Sequence, residues 1–179
     1  VYVNMIIFGV SGAGKTVFCA TAQDYAPTSP MLIIDIDRGT LSIKDKKVDT
    51  VRPKSWRELQ SIYDYLRREN VKYRSVAVDS LTELQRKLSM GSILGDTDET
   101  DGYRDLSRSK PPDRQDWLRS GQHMFKFIRA FRDLAYLPNQ DRRLHVIMTA
   151  LEKKDDAREL ITPDLPGVVG LGCSALVDI

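Results

Sequence analysis

The sequence predicts an α/β fold with a mainly parallel central sheet flanked by helices. Short, almost continuous apolar runs recur at Val3 to Phe8, Met31 to Ile34, Tyr73 to Val78 and Leu144 to Met148, the pattern of strands buried on both faces. Amphipathic helical stretches separate them, so strand and helix alternate. A glycine-rich turn follows the first run and opens a helix, which is the order a phosphate-binding unit requires.

Taken in order, Val3 to Phe8 is the first strand, and the helix after its turn is expected from Lys15 to Asp24. Val48 to Val51 is a candidate short strand. Ser55-Trp56-Arg57-Glu58 fits a capping box and opens a helix with Leu59, Ile62, Tyr63 and Leu66 on one face. Ser80 and Glu83 repeat that capping pattern ahead of Leu81, Leu84 and Leu88. Met90 to Asp113 is polar and broken by glycines and Pro111-Pro112, and residues 91–113 read as a mobile loop. A long helix is predicted from Arg114 to Tyr136, with a core stripe of Trp117, Phe125, Ile128, Phe131 and Ala135. The fourth strand is expected to end at Thr149, and residues 153–172 read as a second mobile loop. The whole of 1–179 reads as one domain of ordinary size. Residue 1 is Val, and Val177-Asp178-Ile179 reads as the beginning of a strand, so both ends are expected to be trimmed.

Composition narrows the function. Of the residues, 41% are apolar and 29% charged, and the net charge is +2, so any basic surface must be local. No apolar run approaches membrane-spanning length, and no membrane partner is expected. Cys19 and Cys173 have no metal-ligand spacing, which favours a reducing cytoplasm, with Cys19 a small core residue. His123 and His145 form no cluster and read as structural.

The chemistry collects at strand ends. Gly9-Val10-Ser11-Gly12-Ala13-Gly14-Lys15-Thr16 matches the phosphate-binding loop G-x-x-x-x-G-K-[ST] without a gap, with Val17 next in the helix. Backbone N–H groups of such a loop wrap phosphate oxygens, Lys15 is the catalytic cation for the β- and γ-phosphates, and the Thr16 hydroxyl is a Mg²⁺ ligand. Asp79, at the end of a buried strand, is the acid expected to hold the metal through a water across from Thr16, or else a helix N-cap carboxylate. Hydrolysis also needs a carboxylate beside the attacking water. Ser80 follows Asp79 and cannot be that base, which leaves Asp37, with Asp35 as competitor and a turn-forming role as the plainer alternative. Thr149 is expected to sense the γ-phosphate, or else to be a strand-end threonine with a satisfied hydroxyl. Lys153 and Lys154 are candidates for a positive finger reaching a neighbouring subunit's nucleotide, or else a solvated turn. Asp96 to Gly102 resembles a calcium loop, but its third acid and its glycine each fall one position late. The guanine-reading N-K-x-D element is missing, which favours ATP with Mg²⁺.

This arrangement resembles the RecA-like ATPases. Ile34-Asp35-Ile36-Asp37 is similar to the segment whose final acid is the recombinase base. Val76-Ala77-Val78-Asp79-Ser80-Leu81 is similar to their Walker-B strand, and Val146 to Ala150 to their nucleotide-sensing strand. The phage-encoded branch of short Sak-type proteins, or phage nucleotide-binding proteins, is the nearer resemblance. It is carried by Gly9 to Thr16, Asp37 to Leu41, Asp79 to Glu83 and Asp164-Leu165-Pro166-Gly167. Two departures stand out: the base is Asp instead of Glu, and Ala150 replaces a glutamine that couples nucleotide to DNA.

The resemblance implies an ATPase acting on single-stranded DNA in phage recombination or annealing, in the cytoplasm of a bacterial host. It also implies a homo-oligomer, ring or filament, with a single-strand-binding protein as a candidate partner. DNA would follow the loops that carry Arg104, Arg108, Lys110 and Arg158, with Tyr103 for stacking. Two rival readings are a nucleotide or nucleoside kinase, with Arg104, Arg108 and Arg114 as a lid, and a regulator that binds ATP without turnover.

Overall fold

The computed structural model describes residues 2–95, 111–156 and 159–178. The candidate DNA residues Arg104, Arg108, Lys110 and Arg158, with Tyr103 and the acidic stretch from Asp96 to Gly102, lie outside the described residues.

The expected alternation is present. The strands are β1 (Asn4–Gly9), β2 (Met31–Asp35), β3 (Asp49–Val51), β4 (Ser75–Asp79), β5 (His145–Asp155) and β6 (Leu160–Pro163). They form one sheet in the order β1-β5-β4-β2-β3, all parallel, with β6 antiparallel to β5. Parallel neighbours require crossovers, and the helices supply them on both faces. Helix α1 (Lys15–Ala20) runs on as a 3-10 turn through Asp24, close to the predicted span. Helix α2 (Trp56–Arg68) starts at Ser55, whose side chain accepts the Glu58 N–H while Glu58 accepts the Lys54 N–H. After β4, Ser80 caps α3 (Leu81–Glu83), and the chain continues as a π-helical turn, Leu84–Ser89, into α4 (Met90–Leu94). Helix α5 (Arg114–Arg132) opens on a reciprocal capping box between Asp113 and Asp116. Helix α6 (Val169–Gly172) packs behind β6.

Strand parity divides the core. Ile33, Ala77 and Ile147 face one side and pack with Cys19 and Ala20 of α1. Leu32, Ile34, Val76, Val78, Val146 and Met148 face the other, where Leu59 and Leu66 of α2 and Met124, Ile128 and Phe131 of α5 cover them. By the same alternation Asp35, Asp79 and Thr149 belong to the α1 face. That is the face on which the glycine-rich loop opens.

One loop expectation is corrected, and a second is corrected only at its described ends. The fourth strand does not stop at Thr149: it runs to Asp155 and turns back as β6, so Lys153 and Lys154 sit in a paired strand, opposite Thr162 and Ile161. The hairpin escaped the apolar-run criterion because it is open to water, with Leu160 and Ile161 about half exposed. The later part of 153–172 is also ordered, because Asp164 N–H donates to Leu151 O (2.7 Å) and Leu165 is buried. Of 91–113 only the two ends are described: residues 91–94 belong to α4, and Asp113 is fixed as the α5 cap. Among the described residues no helix is long and apolar enough to cross a membrane. Near the chain's end, Asp178 N–H donates to Asn4 O (3.1 Å), alongside β1.

Candidate nucleotide site

The site is assembled where β1, β2, β4 and β5 end. Gly12 and Gly14 have φ of 78° and 85°, a left-handed backbone that side-chain-bearing residues rarely adopt. Gly14 is the N-cap of α1 and offers no side chain to cap it, so the first-turn N–H groups are left for an anion. The Lys15 ammonium folds back over the loop and donates to Gly9 O (2.9 Å) and Val10 O (2.8 Å). It therefore spans the mouth of the loop, the place a phosphate group would occupy.

Thr16 and Asp79 meet across that mouth: Thr16 Oγ1 donates to Asp79 Oδ2 at 2.5 Å. The other oxygen of Asp79 accepts from Thr149 Oγ1 at 2.6 Å. Asp79 and Thr149 are both buried, so this carboxylate is oriented from two sides. Because β5 lies between β1 and β4, Thr149 stands between the loop strand and the acid strand. Its hydroxyl is engaged with Asp79, so among the described contacts it orients that acid. A hydroxyl and a carboxylate, both hard oxygen donors, suit Mg²⁺, which takes few protein ligands and completes its shell with phosphate oxygens and water. Among the described residues no cluster of three or more His, Cys, Asp or Glu offers an all-protein metal cage.

Asp37 and Asp35 have different surroundings. Asp35 is buried and holds the following turn together: it accepts from Gly39 N–H (3.0 Å), Thr40 Oγ1 (3.0 Å) and Arg52 Nε (2.8 Å). Asp37 stands at the exposed rim of the site, and Ser80 Oγ donates to its Oδ1 at 3.0 Å. The backbone fixes it as well, because the Asp79 carbonyl accepts from the N–H groups of Ile36 (2.7 Å) and Asp37 (3.2 Å). Arg38 follows with φ 58°, an uncommon value for a side-chain-bearing residue, and turns the chain toward the loop. A methyl group on Gly39 would lie 3.7 Å from Thr16 Oγ1, so this turn packs against the Thr16 hydroxyl. Partial burial pushes the Asp37 carboxyl above its ordinary value; the Ser80 hydrogen bond pulls it back, while the charges of Asp79 and Glu83 add to the upward push.

Sequence reasoning passed over Ser80, Thr82 and Glu152. Ser80 is no base, yet it holds the candidate base, and its place directly after Asp79 was the available signal. Thr82 Oγ1 accepts from Leu151 N–H (3.0 Å), tying the acid-bearing segment to β5. Glu152 puts a second carboxylate beside the loop, since a methyl on Gly9 would lie 4.0 Å from its Oε2. Lys153 and Lys154 are exposed and, as strand neighbours, project to opposite sides. Cys19 is fully buried, and burial, aided by the negative charge of Asp79, pushes its thiol up to about 12. His123 stacks on Trp56 (5.2 Å), and His145 Nδ1 accepts the Val3 N–H at 3.3 Å.

The sequence model of the AAA domain family matches residues 2–165, from the first strand through the Asp164-Leu165 turn. No curated protein matches the chain.

Proposed function

The chain belongs to the AAA domain family of P-loop ATPases, and from that premise we propose that it is a Mg²⁺-dependent ATPase acting on single-stranded DNA. The observation that carries the ATPase part is the convergence of Thr16, Asp79 and the Asp37 turn at the mouth of the loop that Lys15 spans. The loop N–H groups and Lys15 bind the triphosphate and hold its charge. Thr16 and Asp79 would hold Mg²⁺, which would supply charge neutralisation for the triphosphate. Thr149 keeps Asp79 in position. Asp37 accepts a proton from water as the water oxygen bonds to the γ-phosphorus and the β–γ bridging bond breaks. Ser80 fixes the direction in which the Asp37 carboxylate points.

The DNA part is supported by the RecA-like resemblance of Ile34 to Asp37, Val76 to Leu81 and Val146 to Ala150. We place the protein on this basis in the Sak-type phage branch, in recombination or annealing. Assembly into a homo-oligomer would bring Lys153 or Lys154 of the exposed hairpin toward a neighbouring nucleotide.

Steady-state ATP turnover with and without single-stranded DNA, beside nucleoside monophosphate acceptors, tests the reading. DNA-stimulated phosphate release is the expected result. Acceptor-dependent ADP formation would indicate a kinase instead, and tight binding without turnover a switch protein. Asp37→Asn is expected to keep Mg·ATP binding and to lower turnover by at least about 100-fold. Turnover kept in Asp37→Asn but lost in Glu152→Gln would move the base to β5.

A further inference from the structure

Away from the nucleotide face, helices α2 and α5 do not close on each other completely. A cavity of about 300 Å³ lies between them, lined by Trp56, Tyr63, Phe127 and Lys126 among others. It continues into a second hollow of about 580 Å³, which shares Tyr63 and Lys126 and adds Arg67 and Arg129. Trp56, Tyr63 and Arg67 recur at helical spacing on one face of α2, so the groove follows that helix for about 16 Å. Trp56 is half-buried with its ring stacked on His123, and Tyr63 is half-buried against Phe131 at 5.5 Å. Each ring packs on one side and keeps part of its surface open to solvent.

The charge along the groove is one-sided. Arg67, Lys126 and Arg129 are exposed and make no ion pair among the described residues, while the one acid lining it, Asp133, is held by Arg132 at 2.7 Å. A purely apolar partner face would leave these cations without countercharge. Flat rings beside unpaired cations suit a chain with flat bases and a repeated negative charge.

We propose that the α2–α5 groove is a binding track for single-stranded nucleic acid, with bases against Trp56 and Tyr63 and phosphates on Arg67, Lys126 and Arg129. The track lies on the sheet face opposite the nucleotide. The proposal rests on the single-strand reading above and assigns it a surface distinct from the loops.

The test is fluorescence anisotropy of a labelled oligothymidylate titrated with the full chain at several KCl concentrations, with and without Mg·ATP. Arg67→Glu/Lys126→Glu should weaken binding at least about tenfold and flatten the salt dependence by about 1.4 in log–log slope, two phosphates at about 0.7 each. Binding of a fluorescent ATP analogue should be unchanged, which also shows that the variant folds. In a Trp117→Phe chain, the oligonucleotide should quench Trp56 fluorescence. If the wild type binds the oligonucleotide but the groove variant binds equally well and Trp56 is not quenched, the groove is overturned and the DNA reading survives. If the wild type does not bind in any nucleotide state, both fall. Altered self-association in the variant with unchanged oligonucleotide binding also overturns it, marking the face as a contact between copies.

Discussion

Asp37 is held by two opposing influences, and they define its pH behaviour. Partial burial, with Asp79 and Glu83 nearby, raises its carboxyl above the ordinary value of 3.8, and the Ser80 hydroxyl lowers it again. A base must be ionised, so turnover should fall as pH drops through this raised value. Ser80→Ala removes the lowering contact and should move the acidic limb of the kcat profile further up. An unmoved limb in Ser80→Ala would separate Ser80 from the base. The same shift acts on stability with a definite sign. In the window between the unfolded and the raised folded value the native state binds more protons, so stability falls as pH rises. Asp37→Asn should therefore match or exceed the wild type in Tm at neutral pH while losing turnover. A clearly lower Tm would mean that Asp37 serves structure first. Asp35, two residues earlier, is the contrast. Its three contacts bind the turn, and Asp35→Ala should cost about 2–3 kcal/mol in a denaturant titration, because Gly39 N–H and Arg52 lose their acceptor. The sequence could offer both acids but could not assign their duties. Strand parity alone puts Asp35 and Asp37 on one face, and only the end of β2 at Asp35, after which the N–H groups of Ile36 and Asp37 both meet the Asp79 carbonyl, separates an interior position from the rim.

Among the elements, β5 shows what periodicity reads and what it misses. Its buried half, Val146 to Ala150, was legible because a strand covered on both faces is apolar without interruption. Its second half was not, because a solvated hairpin is held by backbone pairing and carries no apolar signature. The π-helical turn after α3 left no mark either, since Leu81, Leu84 and Leu88 are spaced in the sequence as in an ordinary helix. The site reflects the same split: the loop, Thr16 and Asp79 follow from residue type and place, whereas the Thr149–Asp79 contact depends on β5 lying between β1 and β4. Thr149→Val should test that contact. Removing the donor leaves a buried carboxylate oxygen without its partner, at a cost of about 1–3 kcal/mol, and lets Asp79 turn. The Mg²⁺ concentration for half-maximal turnover should rise several-fold, and Thr149→Ser should restore it. An unchanged Mg²⁺ dependence in Thr149→Val would return Thr149 to the role of a satisfied strand residue.

For the molecule as a whole, the sheet separates two chemistries. The α1 face gathers the glycine-rich loop, the Thr16–Asp79 pair and Asp37 at the ends of the parallel strands, where α/β folds place their ligands. The opposite face carries the larger core beneath α2 and α5 and the aromatic, cationic groove between them. This layered plan was readable in advance from alternating strands and helices, since burial on both sides leaves a parallel strand few polar positions. The groove was not, because Trp56 and Tyr63 look like core residues until the packing of α2 on α5 shows which ring surfaces stay open. Everything assigned to the nucleotide face depends on one binding event at the loop. Isothermal titration of Mg·ATP into the full chain and into Lys15→Ala measures it directly. Saturable heat with one nucleotide per chain, absent in Lys15→Ala, is the predicted result; no heat from the unaltered chain, or undiminished heat from Lys15→Ala, would contradict it.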